Sequence, residues 1–198
     1  MKPIVFDFDG VIVYSIPITL GITQSYIPNT TIADYRQMFM GNIYQAVAKN
    51  PIQEPPGFDF QAIYRPKLLE LSPLPEMVKM LEQLQRHDLI IISSTHSESI
   101  RQFLTKHNLI KYFPIILGED IEKSKAVKFK QIADKFDSQE IILITDTVGD
   151  ILEAEKLDMY SIGVTWGLHD RRTLNTASPD LVVDTAEELL TAINNCNP

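Results

Sequence analysis

Six short apolar runs punctuate the chain, each ending on a polar residue or glycine. Ile4-Val5-Phe6 stops at Asp7, residues 89–92 at Ser93, 115–117 at Gly118, 141–144 at Thr145-Asp146, 161–164 at Thr165-Trp166-Gly167, and 181–183 at Asp184. The runs are continuously apolar rather than alternating, which is what strands covered on both faces require, so they predict a parallel sheet between helices. Helical stretches fill the gaps. Residues 76–87 set Met77, Met80, Leu81 and Leu84 on one stripe behind Pro75, and proline suits a first turn. Residues 97–107 carry Ile100, Phe103 and Leu104 on one face with Ser97 as the expected cap, and 125–136, 150–157 and 186–193 read as further helices. The repetition predicts an α/β fold with a doubly wound parallel sheet.

Residues 16–72 break this rhythm. They are too many for a crossover loop and hold helix-like stretches at 32–49 and 58–71, joined by the turn-rich residues 50–57. The expected organisation is a core of residues 1–15 and 73–198 and a small helical cap, 16–72, inserted after the first strand. A cap placed there overhangs the carboxyl ends of the strands, where open α/β sheets bind ligands.

Charge and composition narrow the partners. The formal net charge is −8 and there is no long lysine or arginine run, so binding to a nucleic-acid backbone is not expected. No stretch approaches the ~20 apolar residues of a membrane span. Met1-Lys2-Pro3 leads directly into the first strand without the pattern of a signal peptide, which makes the cytoplasm the expected location. The single cysteine, Cys196, excludes an intrachain disulfide and a thiolate metal cluster and is read as incidental in a frayed tail. A monomer and a homodimer fit the pattern equally.

The candidate chemistry sits at the strand ends. Asp7-Phe8-Asp9-Gly10 follows the first strand, putting Asp7 and Asp9 on one side of the sheet's mouth with Gly10 free to turn sharply. Alone, the pair also reads as a helix cap beside a solvated acid. Other strand ends add complementary groups: Ser93 and Ser94, then Lys125, then Asp146 and Asp150, four apart at a helical start where Asp146 could itself be a cap. Several carboxylates in one small volume point to a hard divalent cation, Mg2+.

At this point the chain resembles the haloacid dehalogenase-like hydrolases, in particular the phosphoglycolate-phosphatase-like branch with an inserted helical cap. VFDFDGVIVYS (5–15), IISS (91–94), Lys125 in EKSKAVKF and ITDTVGD (144–150) are similar to the family's four motifs, in order. The resemblance implies that Asp7 attacks phosphorus to form an aspartyl-phosphate. Asp9 would protonate the leaving oxygen and then deprotonate the hydrolytic water. Mg2+ would be held by Asp7, the Asp9 carbonyl and Asp146, with Asp150 assisting and orienting Lys125. Ser93, the Ser94 N–H and Lys125 would bind the phosphoryl oxygens of a small phosphorylated metabolite.

The chain departs from the family pattern at Val11, Tyr14, Ala126 and Thr145, where Thr, an acidic residue, Pro and Gly are common. A phosphomutase with the same nucleophile and a non-catalytic phosphate-binding protein are the alternatives; a dehalogenase would not need Asp9 or Mg2+. His96 and Trp166 are secondary candidates for substrate contact. Arg36, Tyr44, Lys49, Arg65 and Lys67 are candidates for specificity, with charged helix surface the plainer reading of each. His87, His107 and His169 are read as surface or helix-end residues.

Overall fold

The computed structural model describes residues 1–41 and 55–196. Tyr44 and Lys49 lie outside them, as does most of the second half of the helix expected over 32–49. All six expected strands form: β1 (Pro3–Phe6), β2 (Asp88–Ile92), β3 (Ile115–Leu117), β4 (Ile142–Thr145), β5 (Tyr160–Val164) and β6 (Leu181–Val183). They make one parallel sheet of order β3-β2-β1-β4-β5-β6. The order reverses direction between β1 and β4, so their carboxyl ends flank the crevice where such sheets bind ligands.

The burial pattern explains why the strands read as unbroken apolar runs. Ile4 and Phe6 of β1, Leu89 and Ile91 of β2, and Ile142 and Ile144 of β4 enter one core layer, while Val5, Ile90, Ile92 and Leu143 enter the other. Successive side chains on a strand point to opposite faces, and here both faces are covered.

Three described helices lie between β1 and the next core helix: α1 (Ile16–Tyr26), α2 (Ile32–Met38) and α3 (Phe60–Leu68). The core helices follow as α4 (Pro75–Gln83), α5 (Ser97–Lys106), α6 (Lys125–Ala133), α7 (Val148–Glu155), α8 (Arg171–Leu174) and α9 (Ala186–Asn195). Helix α2 begins with a capping box between Thr31 and Asp34, and α3 is capped by Asp59.

Helix α1 has no counterpart in the sequence reading. Its residues are rich in β-branched Ile and Thr and lack an apolar stripe, yet Thr19 and Thr23 turn their hydroxyls back onto the carbonyls of Ile16 and Thr19. The hydroxyls are thereby satisfied within the helix. Helix α4 ends at Gln83, four residues short of expectation, because Leu84 already leaves helical geometry. The cap of α5 is His96, whose ring accepts the Glu98 N–H, rather than Ser97, which instead bonds Asp120. Cys196 is buried and packs on the main core. No helix among the described residues is long and apolar enough to cross a membrane.

Candidate active site

Asp7 is the residue after β1, and its N–H donates to the Ile144 carbonyl of β4 (2.9 Å), continuing the sheet and fixing the side chain at the switch point. One oxygen of the Asp7 carboxylate accepts the Phe8 N–H (2.7 Å) and the other accepts Lys125 Nζ (2.7 Å). Lys125 opens α6 and reaches Asp150 as well (2.6 Å); Asp150 in turn accepts the Thr145 hydroxyl (3.0 Å). One ammonium therefore sits between two buried carboxylates. Burial disfavours its charge, but Asp150 and Asp7 outweigh that and hold the proton firmly on Lys125. For Asp7 burial is the larger effect and pushes its carboxyl well up, with Lys125 pulling the other way. Thr145 stands where the family commonly has glycine, and it has become part of this network.

Asp146 is not a helix cap. Thr147 holds that position at α7, and Asp146 turns inward, where one carboxylate oxygen accepts the Leu168 N–H (2.7 Å). Its other oxygen, Oδ1, is buried with no hydrogen-bond partner among the described residues. Burial pushes the Asp146 carboxyl up to about 7, against the lowering effect of the Leu168 N–H. Two glycines admit this carboxylate. A Cβ on Gly10, whose φ is +77°, or on Gly167 would fall on the Asp146 side chain.

These features test the fit of a cation. A buried, unpaired carboxylate oxygen is costly, and a positive ion would both pair it and favour the charged forms of Asp7 and Asp146 against the effect of burial. Among the described residues no three carboxylate, imidazole or thiolate groups converge as a ready ligand cluster. The available donors are thus two carboxylates, Asp7 and Asp146, with main-chain carbonyl and water. That set suits Mg2+, which keeps several waters and takes only one or two carboxylates.

Asp9 lies apart from this network, in a cage of hydroxyls. Its Oδ1 accepts Ser15 Oγ (2.6 Å) and Tyr64 Oη; its Oδ2 accepts Thr95 Oγ1 (2.7 Å) and, at 3.5 Å, Ser93 Oγ. Tyr64 comes from α3, is fully buried, and has its pKa raised well above 10 by burial and by Asp9, so it stays a proton donor. Sequence reasoning missed Tyr64, Ser15 and Thr95 as neighbours of Asp9. Only Ser15 carried a signal, six residues after Asp9 within the first motif.

The Ser93 loop is held from below by Lys128. This fully buried lysine donates to the carbonyls of Ser93 (2.6 Å) and Gly118 (3.2 Å), and burial lowers its pKa to about 8. Thus of the neighbouring lysines Lys125 reaches the carboxylates, while Lys128 braces the floor.

Asp7, Asp9, Ser93, Ser94, Lys125, Asp146 and Asp150 all border one cavity of about 720 Å³, roofed by residues of α1, α2 and the segment leading into α3. The secondary candidates do not join it. His96 faces Asp120 (3.7 Å), Trp166 donates to the Val11 carbonyl (3.3 Å), Arg36 to the Leu168 carbonyl (2.7 Å) and Arg65 to Ser99 Oγ (3.0 Å). His169, read as a surface or helix-end residue, directly precedes the N-cap of α8 and is fully buried. Its Nδ1 accepts the Val148 N–H (3.1 Å), which leaves Nε2 to donate to the Arg36 carbonyl (2.9 Å).

The family model of the haloacid dehalogenase-like hydrolases matches residues 4–164, the stretch that carries Asp7, Asp9, Ser93, Ser94, Lys125, Asp146 and Asp150. The chain belongs to that family. It is therefore a hydrolase, and phosphatase is the class its curated relatives carry. The phosphoglycolate phosphatase of Synechococcus elongatus is 26% identical over 208 residues, covering 98% of this chain and 97% of that protein. Among solved structures, a "predicted phosphatase" from Clostridium acetobutylicum matches 98% of this chain and 99% of its own, with a TM-score of 0.77 at 21% identity. A hydrolase from Pseudomonas syringae matches 100% of both chains, with a TM-score of 0.76 at 18% identity. The latter two establish the shared fold.

Proposed function

We propose that the chain is a Mg2+-dependent phosphomonoesterase that hydrolyses a small phosphorylated metabolite through an aspartyl-phosphate on Asp7. The observation that carries this reading is the pairing of Asp7, locked at a strand end by Lys125, with the orphaned Oδ1 of Asp146 in one roofed cavity.

Asp7 supplies the nucleophile: its carboxylate oxygen bonds to phosphorus as the bond from phosphorus to the leaving oxygen breaks. Asp9, positioned by Ser15, Tyr64 and Thr95, gives the leaving oxygen a proton and then takes one from the water that cleaves the acyl phosphate. Lys125 and the Ser93–Ser94 loop receive the phosphoryl oxygens, with Lys128 fixing the loop's height beneath them. Asp7, Asp146 and the Asp9 carbonyl would hold Mg2+, with Asp150 keeping Lys125 in place. When bound, the ion supplies neutralising charge for the attacking carboxylate and the phosphoryl group. The inserted helices, taken as a cap of residues 16–72, exclude water from the reaction.

The test is release of inorganic phosphate from a panel of phosphate esters, with Mg2+ or with EDTA, by the native chain and by Asp7→Asn. The expected result is release that needs Mg2+ and is lost in the variant. Release that persists in Asp7→Asn would overturn the mechanism. Isomerised sugar phosphate without free phosphate would indicate a mutase.

A further inference from the structure

The roof of the cavity contrasts with the two-carbon acid named in the phosphoglycolate phosphatases. Among the described residues of this segment its largest members are Tyr26, Tyr35, Met38, Phe39, Phe58 and Phe60, with smaller apolar and hydroxyl groups and the polar Asp59 and Gln61 between them. Tyr26 and Phe58 meet at 4.5 Å between ring centroids with a 58° tilt, and Phe60 stacks at 5.7 Å on Tyr64, whose hydroxyl touches Asp9. The aromatic wall thus begins one ring away from the proposed acid–base group.

Among the described inserted residues bordering the cavity, none is lysine or arginine. Arg36 and Arg65 do not border the cavity and direct their Nε–H groups to the Leu168 carbonyl and Ser99 Oγ. On the core side Lys125 is bonded to Asp7 and Asp150, and Lys123 shares the rim with Glu119 and Glu153, while Asp59 faces them from the N-cap of α3. Among the described rim residues acids outnumber lysines, so a carboxylate on the leaving group gains no cation there beyond Lys123. The volume of about 720 Å³ lies in the ~300–1,000 Å³ range of sites for drug-sized ligands, well beyond what a two-carbon ester fills.

We infer that the leaving group this cavity accepts is a flat, largely apolar one, such as an aromatic ring one or two carbons from the phosphate oxygen, rather than a short second acid. The inference rests on the phosphatase reading above, and adds to it the substrate class.

The experiment compares three alkyl esters, so that leaving-group chemistry is held similar: 2-phenylethyl phosphate, ethyl phosphate and phosphoglycolate. The expected result is that kcat/KM for the phenylethyl ester exceeds both others by at least about tenfold, the factor corresponding to ~1.4 kcal/mol of ring burial. In Phe58→Ala the phenylethyl-to-ethyl ratio should fall several-fold. Both esters are read on the same protein, so a loss of folded enzyme cancels. Phosphoglycolate turned over as well as or better than the phenylethyl ester would overturn the inference while leaving the phosphatase reading intact. Calorimetric binding of 2-phenylethylphosphonate and phosphonoacetate separates the remaining case. If no ester is hydrolysed, the catalytic reading fails; tighter binding of the phenyl compound would still support the pocket assignment, and equal or reversed binding would overturn it.

Discussion

The floor of the cavity and its roof are made of opposite materials. The floor gathers Asp7 and Asp146 from the ends of two central strands, Lys125 from the start of α6 and Asp150 from the first turn of α7, the three acids buried and Lys125 partly so, all held by named hydrogen bonds. The roof, over the described residues, is mainly aromatic and aliphatic with Asp59 and Gln61 among them, and it meets the core through hydrogen bonds of Arg36, Phe39, Tyr64, Arg65, Leu69 and Leu71 and through Ile22, Tyr64 and Leu68, which are buried in the main core. Phosphoryl transfer asks for fixed charge, so the floor is rigid and over-determined. Choice of leaving group asks for shape and apolar area, which residues on a separate segment can vary without replacing the charges beneath. Among the described residues Tyr64 crosses the division, a roof residue bonded to Asp9 beside the floor.

The largest effect should come from the floor. Asp146→Asn removes a proposed ion ligand, and because even an outer partner of a metal ligand is worth ~10–100-fold, turnover at fixed Mg2+ should fall by more than that. Titrating activity against Mg2+ checks it, and an unchanged Mg2+ midpoint would remove Asp146 from the ligand set. Next comes the residue that blurs the comparison. Tyr64→Phe should lower kcat for an alkyl phosphate by about tenfold, within the range expected for one hydrogen bond to a charged group. p-Nitrophenyl phosphate, whose leaving group needs no proton, should be affected far less. Equal losses on both esters would reduce Tyr64 to a packing residue.

The smallest effect lies under the floor. The lysine pKa is 10.5 when free and about 8 for buried Lys128. Between those values the unfolded chain binds a proton that the folded chain does not, so native stability should rise with pH relative to Lys128→Met. The gap should change by on the order of 1 kcal/mol per pH unit above pH 8 and stay level below it. Denaturant melts at pH 7, 8 and 9 measure it, and a gap constant across all three would contradict the burial of this charge.

The floor was legible in the sequence because a parallel sheet converts strand ends into neighbours. Once six apolar runs are recognised, Asp7, Ser93, Lys125 and Asp146 must meet at one edge. The roof was less legible for two physical reasons. Helix α1 satisfies its threonines internally and buries only a few residues, so its sequence lacks the stripe that betrays α4. Tyr64, His169 and Lys128 owe their roles to partners 55, 133 and 35 residues away. In the sequence they look like one aromatic, one imidazole and one basic group among several on helices and loops. Asp146 is a subtler case: its inward turn depends on the absence of side chains at Gly10 and Gly167, two distant glycines that no local pattern connects.

The first amides of a helix ordinarily face solvent, yet at α7 Val148 donates to His169 and Gly149 to the Phe39 carbonyl at 2.9 Å. The Gly149 N–H thus ends on the residue that follows α2, and the Val148 N–H ends on a ring bonded to Arg36 of α2. Deuterium uptake at these two positions consequently reads how often the roof lifts. Their exchange rates would clock its opening from inside the core, with no label attached to the roof.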